Sequence, residues 1–238
     1  MKIIEKNENK IVFEADIKDV LANAIRRYVN HIPTLAVDEI EISKNDSPLY
    51  DEMIANRIGL IPLKADKSGK KEPKIKLNVS KEGMVYSEEM KGEAKPSYDR
   101  IPITYLNKEQ ELELEASTKI GTGIEHSKFS PGMIFYRNVS EISMDKKMKE
   151  KIKAMIPNSE IKEKGNKISV LDNGKKEIVD LCESICNEDG EKPEIEIKDE
   201  LIITVESFGQ ISPEEIFKKS IEELEKDLSE ISKKMEKD

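Results

Sequence analysis

Residues 20–63 read VLANAIRRYVNHIPTLAVDEIEISKNDSPLYDEMIANRIGLIPL, a stretch that predicts two amphipathic helices joined by an extended arm. In the first helix, apolar residues recur at intervals of three and four, so they share one stripe. Pro33 ends this helix because the residue before a proline is pushed towards extended geometry. The stripe consists of Ile17, Val20, Leu21, Ala24, Ile25 and Tyr28.

The arm and the second helix complete this stretch. Residues 35–42 alternate imperfectly between apolar and acidic side chains, which predicts a half-buried strand. A second helix is predicted to begin near Ser47 and Pro48 and to end at Gly59. Because the stretch carries no nucleophile, metal-binding cluster or phosphate-binding loop, it predicts contacts with other proteins and no chemistry of its own.

The middle of the chain predicts mainly β structure. Apolar residues alternate in three segments, which predicts strands: 75–79, 101–105 and 112–116. Helical spacing up to Pro157 joins a later set of residues: Met144, Met148, Ile152 and Met155. Residues 168–171 then predict a strand that enters a hairpin turn at residues 172–174.

The C-terminal segment carries the second informative pattern. Residues 201–205 predict a β-branched strand, Gly209 ends it, and Ser212 with Pro213 predicts the start of a helix. Apolar side chains then alternate steps of four and three, which is a heptad seam. Sequence alone explains this seam equally well by packing on the protein's own sheet or by a partner interface. The seam comprises Phe217, Ile221, Leu224, Leu228, Ile231 and Met235.

The composition describes a charged chain. Of 238 residues, 37% are charged, and the net charge of −9 argues against a protein that clamps nucleic acid with its whole surface. No apolar run is long enough for a bilayer, no signal core follows Met1, and two cysteines suit a reducing compartment, so a cytoplasmic protein without membrane contact is expected. The lysine-rich connector at residues 64–73 predicts a solvated loop, because aromatic and Arg side chains are missing from it.

Three groups of residues resemble parts of enzyme motifs, but none of them supports an enzyme activity. Residues 121–123, Gly-Thr-Gly, lack the third glycine of a dinucleotide-binding fingerprint and predict a turn. His31 and His126 lie far apart with no Ser or Cys signature near them, so structural histidines are expected. The acidic cluster at residues 38–41 does not match a magnesium-binding polymerase motif. The sequence therefore predicts no catalytic residues.

Two motifs resemble a known family. The first comprises LANAIRR at 21–27, IP at 32–33 and NRIGLIPL at 56–63. The second is GTGIEHSKFSP at 121–131, which is similar to a Gly-x-Gly-x-x-His-x-Lys-x-Ser-Pro segment. Together and in this order they resemble the alpha-type subunits of multisubunit RNA polymerases, in particular the archaeal and eukaryotic branch. The resemblance covers residues 1–145 and the C-terminal helix.

The resemblance implies an α+β fold with three domains. A discontinuous dimerisation domain of sheet plus helices would comprise residues 1–45 and 200–238. Residues 46–145 would form an inserted, mainly β domain. Residues 146–199 would form a small, degenerate ferredoxin-like third domain.

The resemblance also implies a noncatalytic scaffold subunit of an archaeal DNA-directed RNA polymerase. It would form a heterodimer with the small alpha-like subunit L and nucleate assembly of the largest and second-largest catalytic subunits. Small subunits N and P are further expected partners, and DNA is expected only indirectly through the complex. Arg26 and Arg27 are candidates for a large-subunit contact. The candidate heterodimer interface is Phe217, Ile221, Leu224, Leu228 and Ile231.

Cys182 and Cys186 bear on the cofactor. Many archaeal members of this family carry an iron–sulfur cluster in the third domain, and a cluster needs about four ligands. Two thiols at a spacing of four are insufficient, and a zinc site would also need two more ligands, so no cofactor and no metal are expected.

Several alternatives compete with the archaeal assignment. Bacterial alpha subunits continue into a DNA-binding C-terminal domain, for which no room is expected after Asp238. Eukaryotic counterparts usually carry zinc-binding cysteines in the inserted domain, where this chain has none. Outside the family, the alternatives are a degenerate ferredoxin-like redox or metal protein and a homodimeric structural protein that uses the C-terminal seam.

Overall fold

A computed structural model describes residues 2–64, 73–157, 161–172 and 178–236. Within these ranges the chain forms five α-helices and antiparallel strand pairs, which confirms the predicted α+β class. The helices are α1 (Asp19–Tyr28), α2 (Asp51–Gly59), α3 (Lys149–Met155), α4 (Ile178–Glu188) and α5 (Pro213–Met235). The strands are β1 (Lys2–Lys6), β2 (Lys10–Ala15), β3 (Thr34–Asn45), β4 (Leu63–Lys64), β5 (Ile75–Val79), β6 (Gly83–Tyr86), β7 (Lys91–Gly92), β8 (Lys95–Pro96), β9 (Pro102–Leu106), β10 (Leu112–Gly121), β11 (Gly132–Asp145), β12 (Ile161–Lys164), β13 (Lys167–Leu171) and β14 (Glu194–Ser207).

The chain divides into two compact units. The first comprises Met1–Asn23 and Phe135–Thr204, and the second comprises Ala24–Ile134 and Val205–Asp238. Helix α1 and strands β11 and β14 each contribute residues to both units. The three predicted domains divide the chain at other positions, and their boundaries stay a prediction.

The first unit is built on a six-stranded sheet with the order β1-β2-β14-β11-β13-β12. Alternate residues of β11 and β13 enter a core that also receives the apolar faces of α3 and α4. A smaller cluster contains Val12, Val139 and Ile202. The larger core comprises Ile142, Met144, Met148, Ile152, Ile156, Ile168, Val170, Ile178, Cys182, Ile185 and Cys186.

The helix predicted from Met144 to Met155 is wrong in its first part. Met144 lies in strand β11, residues 146–148 form a 3-10 turn, and the α-helix begins only at Lys149. Met144, Met148 and Ile152 nevertheless all enter the same core. Their spacing imitates a helix because a strand end, a turn and a helix follow one another along one apolar surface.

The second unit has a four-stranded sheet with the order β3-β10-β5-β7. Residues from β3, β5 and β10 alternate into a core, as their sequence pattern predicts. Helix α2 packs on this core through Ile54 and Ile58, which are completely buried. Arg57 of α2 also donates a hydrogen bond of 2.9 Å to the carbonyl of Ile103.

Helix α2 begins at Asp51, later than the predicted start near Ser47. The side-chain oxygen of Asn45 accepts from the Ser47 amide at 3.0 Å, and its amide donates to the Leu49 carbonyl at 2.8 Å. Asparagine often stabilises turns in this way. The turn holds residues 47–49 outside the helix.

The buried face of helix α1 overlaps the predicted stripe only in part. Ile25 of the stripe is buried, as is Ala22 outside it, whereas Val20 of the stripe is 83% exposed and Leu21 is 46% exposed. The helix therefore carries apolar side chains on its outer side as well, where packing within the chain does not account for them.

Two predicted features involve residues outside the described ranges. They are most of the lysine-rich connector at 64–73 and the hairpin turn at 172–174, of which only Asp172 is described. The buried carboxylate of Asp172 forms an ion pair with the guanidinium of Arg137. Within the described parts of the chain, the structure contains no helix that is long and apolar enough to span a membrane.

Candidate interface on the C-terminal helix

Helix α5 has a well-formed start. The Ser212 hydroxyl accepts from the Glu215 amide at 3.3 Å, and the Glu215 carboxylate accepts from the Ser212 amide at 3.4 Å. This reciprocal pair is a capping box, and Pro213 occupies the first turn, where its missing N–H costs nothing. The predicted start of α5 is confirmed. Because the helix begins at a defined residue, the side of the helix on which each later residue lies is also defined.

One side of α5 packs on its own chain. Pro213, Ile216 and Ser220 are buried, and the helix contacts the 3-10 turn at Val29–His31. The Ser220 hydroxyl donates to the carbonyl of Ile216 at 2.8 Å, so burial leaves it paired. Gly132 lies so close to Ile216 and to the Glu206 carbonyl that a Cβ there would be 2.2 Å from that oxygen. This close packing holds the first half of the helix against the unit.

A tyrosine and an aspartate join the first helix to the last one. The Tyr28 hydroxyl donates to the Asp227 carboxylate at 2.9 Å, although 199 residues separate them. The hydrogen bond to the carboxylate raises the pKa of Tyr28 above its ordinary value, because it favours the protonated phenol. The Tyr28 ring also stacks on His31 at 4.3 Å. Asp227 is thus an attachment point for the middle of α5.

The predicted seam of α5 becomes more exposed towards its end. Phe217, Ile221 and Leu224 are half-buried, whereas Leu228 is 57% exposed, Ile231 is 55% exposed and Met235 is 77% exposed. The inward stripe of the helix lies one position away and contains Ser220 and Asp227 instead. Large apolar side chains in one exposed row commonly mark a protein-binding surface.

The loop at residues 121–131 supports the turn that receives α5. The ring of Phe129 lies against Gly121, where a Cβ would be 2.7 Å from it, and Gly123 lies equally close to Asn30. Asn30 also accepts a hydrogen bond from Ser130 at 3.1 Å. The glycines of this motif therefore permit close packing. The predicted turn at 121–123 lies slightly later, because Gly121 ends strand β10 and the bond from the Glu125 amide to the Thr122 carbonyl closes a turn over residues 122–125.

The histidines and arginines singled out from the sequence lie around this region. His126 accepts a hydrogen bond from the Lys128 amide through Nδ1, and Lys128 pairs with Asp38 at 3.2 Å. Both contacts are structural. Arg26 and Arg27 are exposed on the last turn of α1, and their contact with a large subunit stays a prediction.

Both cysteines lie in the core of the first unit, on α4. Burial raises the pKa of the Cys182 thiol to about 11 and also raises that of Cys186. The Cys186 sulfur lies 4.0 Å from the sulfur of Met144. Within the described residues, no three His, Cys, Asp or Glu side chains are grouped to hold a metal ion. Absence of a cluster stays a prediction.

Sequence reasoning missed Asp227. It is one of many charged residues on α5, and only its contact with Tyr28 distinguishes it. A carboxylate on the edge of an apolar seam was the available signal, and it is a weak one because flanking positions of such seams are usually charged.

Comparison with known proteins identifies relatives over almost the whole chain. The RNA polymerase Rpb3/Rpb11 dimerisation domain matches residues 11–228. DNA-directed RNA polymerase subunit Rpo3 of Pyrococcus horikoshii is 33% identical over 92% of this chain and 90% of its own length. The Rpo3 proteins of Thermococcus kodakarensis and Methanopyrus kandleri are 38% identical over 61% of each chain, and 27% identical over 91% of this chain and 87% of the relative. This protein therefore belongs to the RNA polymerase Rpb3/Rpb11 dimerisation-domain family.

Proposed function

We propose that this chain is a noncatalytic assembly subunit of an archaeal DNA-directed RNA polymerase. It pairs with the small alpha-like subunit L, and the pair nucleates assembly of the two large catalytic subunits, with N and P as further small partners. Membership of a dimerisation-domain family and the similarity to polymerase subunits of three archaea support the proposal.

The observation that carries the proposal is the exposed seam of α5. Leu228 and Ile231 are both more than half exposed on a helix whose first half is firmly capped and packed. Covering a large aliphatic side chain stabilises an association by roughly 1.5 to 3 kcal/mol before other costs. The seam Phe217, Ile221, Leu224, Leu228 and Ile231 therefore supplies the heterodimer interface. Arg26 and Arg27 supply a separate contact with a large subunit, since their exposed guanidinium groups suit carboxylates and carbonyls.

Co-expression tests the pairing directly. The chain is expressed with and without an archaeal small alpha-like subunit, and the mass in solution is measured by light scattering. A stoichiometric heterodimer is expected. A stable homodimer that is indifferent to the small subunit would contradict the proposal and favour the homodimeric structural protein.

Two charge substitutions locate the interface. Leu224→Asp with Leu228→Asp should abolish the heterodimer, because two carboxylates would be buried without partners. Ser229→Asp is the matched control, since Ser229 is exposed and lies beside the seam. The control should pair normally, and circular dichroism should show both variants folded. Pairing that survives both seam charges would show that the interface lies elsewhere.

Buried thiols weigh against the redox alternative. A redox-active thiol reacts as the thiolate, and burial disfavours that form at both cysteines by raising their pKa values. Stoichiometric iron in anaerobically purified protein would support the ferredoxin-like alternative.

A further inference from the structure

Two exposed aromatic side chains lie on adjoining loops of the second unit. Phe208 is the one exposed phenylalanine of the chain, at 39%, and Tyr98 is 40% exposed. A Cβ on Gly209 would be 3.0 Å from the Tyr98 ring, so this ring lies against the residue that follows Phe208. Gly209 also has a φ of 101°, which favours glycine. Aromatic residues make up only 5% of the sequence, so their placement at one surface position calls for a reason.

Hydrogen bonds fix the loop that carries Phe208. The Phe208 amide donates to the Pro131 carbonyl at 3.0 Å, and the Gly209 amide donates to the Ser207 hydroxyl at 2.9 Å. The same hydroxyl donates to the Ile211 carbonyl at 2.5 Å. This loop ends at the capped start of α5, so both of its ends are held.

The loop that carries Tyr98 is fixed in a similar way. The Ser97 amide donates to the Pro62 carbonyl at 2.8 Å. The buried hydroxyl of Ser87 donates to the Tyr98 carbonyl at 2.5 Å and accepts from the Ile101 amide at 3.1 Å. Aromatic side chains on fixed backbone lose little conformational entropy on binding, and such residues often dominate the affinity of an interface.

Buried oxygen atoms without a partner lie next to these aromatic residues. Among the described residues, nothing forms a hydrogen bond with Oγ of Ser97 or with Oε1 of Gln210. The Gln210 amide nitrogen donates to the Ser130 carbonyl at 3.4 Å, which leaves the oxygen to accept. A buried oxygen without a hydrogen bond is costly, so a ligand that brings N–H donors would be favoured here.

We propose that Tyr98, Phe208 and Gln210 form a binding site for an arginine side chain of another subunit. A guanidinium group has five N–H donors and no acceptor, and its planar face stacks on aromatic rings. The net charge of −9 also favours a cationic ligand. The site shares no residue with the apolar row of α5. The inference rests on the proposed function only for the origin of the arginine.

Titration of the complete chain with two blocked tripeptides, followed by NMR, is the first test. Gly-Arg-Gly should shift the signals of Tyr98, Phe208 and Gln210 with a dissociation constant of about 1 to 10 mM, as expected for one anchored side chain. Gly-Lys-Gly should bind at least threefold more weakly, because an ammonium group has no planar face. Equal affinities for the two peptides, or shifts that do not saturate, would overturn the proposal.

Opposite charges at Gln210 test the sign of the ligand. Gln210→Glu should bind Gly-Arg-Gly about threefold to tenfold more tightly through a charge-assisted hydrogen bond, and Gln210→Lys should bind it at least tenfold more weakly. Circular dichroism should show both variants folded. The reverse order would assign the site to an anion, and a similar loss in both variants would assign it to an apolar group. Either result would overturn the proposal.

Alanine variants test the aromatic contribution. Tyr98→Ala and Phe208→Ala should each weaken binding of Gly-Arg-Gly at least fivefold. Tyr105→Ala is the matched control, since Tyr105 is 44% exposed in the same unit and lies outside the site, and it should bind like the unmodified chain. Equal binding by all three variants would overturn the proposal.

Hydroxyl-radical footprinting of the assembled polymerase tests whether a subunit occupies the site. Oxidation of Tyr98 and Phe208 should be at least fivefold slower in the assembly than in the free chain. Unchanged oxidation would overturn the assignment to another subunit. A chain that does not assemble at all would contradict the proposed function, and the peptide titrations would still decide whether the arginine site exists.

Discussion

Helices α4 and α5 have similar apolar patterns and different surroundings. On α4, Ile178, Cys182, Ile185 and Cys186 are all buried against the sheet and α3. On α5, the apolar row is half-buried at first and then exposed, while a separate stripe makes the inward contacts. Periodicity therefore identifies an amphipathic helix without identifying what covers it. Burial assigns α4 to the stability of the chain, and the exposed end of α5 supports the proposed association surface.

Matched truncations at these helices should give the largest difference in stability. Ile185→Ala removes a side chain that is 3% exposed, and we expect a loss of about 2 to 5 kcal/mol in the free energy of unfolding. Leu228→Ala should change it by less than about 0.5 kcal/mol. Urea denaturation followed by circular dichroism measures both. Equal losses would show that α5 is covered as completely as α4.

The thiols of α4 should react slowly, because they are buried in the core of the first unit. With the pKa of Cys182 raised from 9.0 to about 11, its thiolate fraction at pH 8 is about 100-fold below that of an ordinary thiol. Labelling by a disulfide reagent should accordingly be at least that much slower in native protein than in urea. Rapid labelling of the native protein would show that the cysteines of α4 are accessible to the reagent. The contrast between a buried α4 and an exposed α5 would then be wrong.

A substitution in the exposed row of α5 should change the affinity for the small subunit. Leu228→Ala should weaken heterodimer formation roughly tenfold to thirtyfold, because about 1.5 to 2 kcal/mol of apolar contact is lost. Isothermal titration with the small subunit measures this change. Lys226→Ala is the control, since Lys226 is exposed on the same helix and outside the seam. An unchanged dissociation constant for Leu228→Ala would remove Leu228 from the interface.

The smallest expected effect is the pH-dependent contribution of Glu141 to the free energy of unfolding. Glu141 lies on β11, in the sheet that α4 covers. Hydrogen bonds from Ser169 and Lys198 lower the pKa of Glu141 to about 2. A lowered folded-state pKa stabilises the protein above the unfolded value near 4.5, and this contribution is lost as pH falls towards 2. Glu141→Gln should therefore cost on the order of 1 kcal/mol at pH 7 and less at pH 3. A cost that is independent of pH would contradict this role.

Local patterns predicted much of the fold. The capped start of α5 and strands β3, β5, β9 and β10 follow from short-range signals, and all were predicted. Strands β1 and β11 were not, because β1 is mostly charged and exposed and β11 has few fully buried positions. The contact between Tyr28 and Asp227 has no local signal at all, since it depends on two chain ends meeting.

The sequence predicted which residues form the apolar row of α5, but it did not predict which of them are exposed. Heptad spacing identified Phe217, Ile221, Leu224, Leu228 and Ile231, and the structure adds which of them remain exposed. Exposure depends on where the inward stripe falls, and on α5 that stripe contains Ile216 followed by the polar residues Ser220 and Asp227. For α1, the same reasoning selected a face that is partly exposed, because small Ala22 does the inner packing.

Packing of α5 on residues 29–31 also has a consequence for the order of events during synthesis. The receiving turn is made early and leaves the ribosome long before residues 213–224 exist. Its apolar surface, including Val29, must wait for nearly the whole chain before its own helix can cover it. Such distant pairing slows folding and leaves apolar surface open in the meantime. Under the proposed function, a nascent chain that lacks α5 also lacks the apolar row, and we expect it not to bind the small subunit.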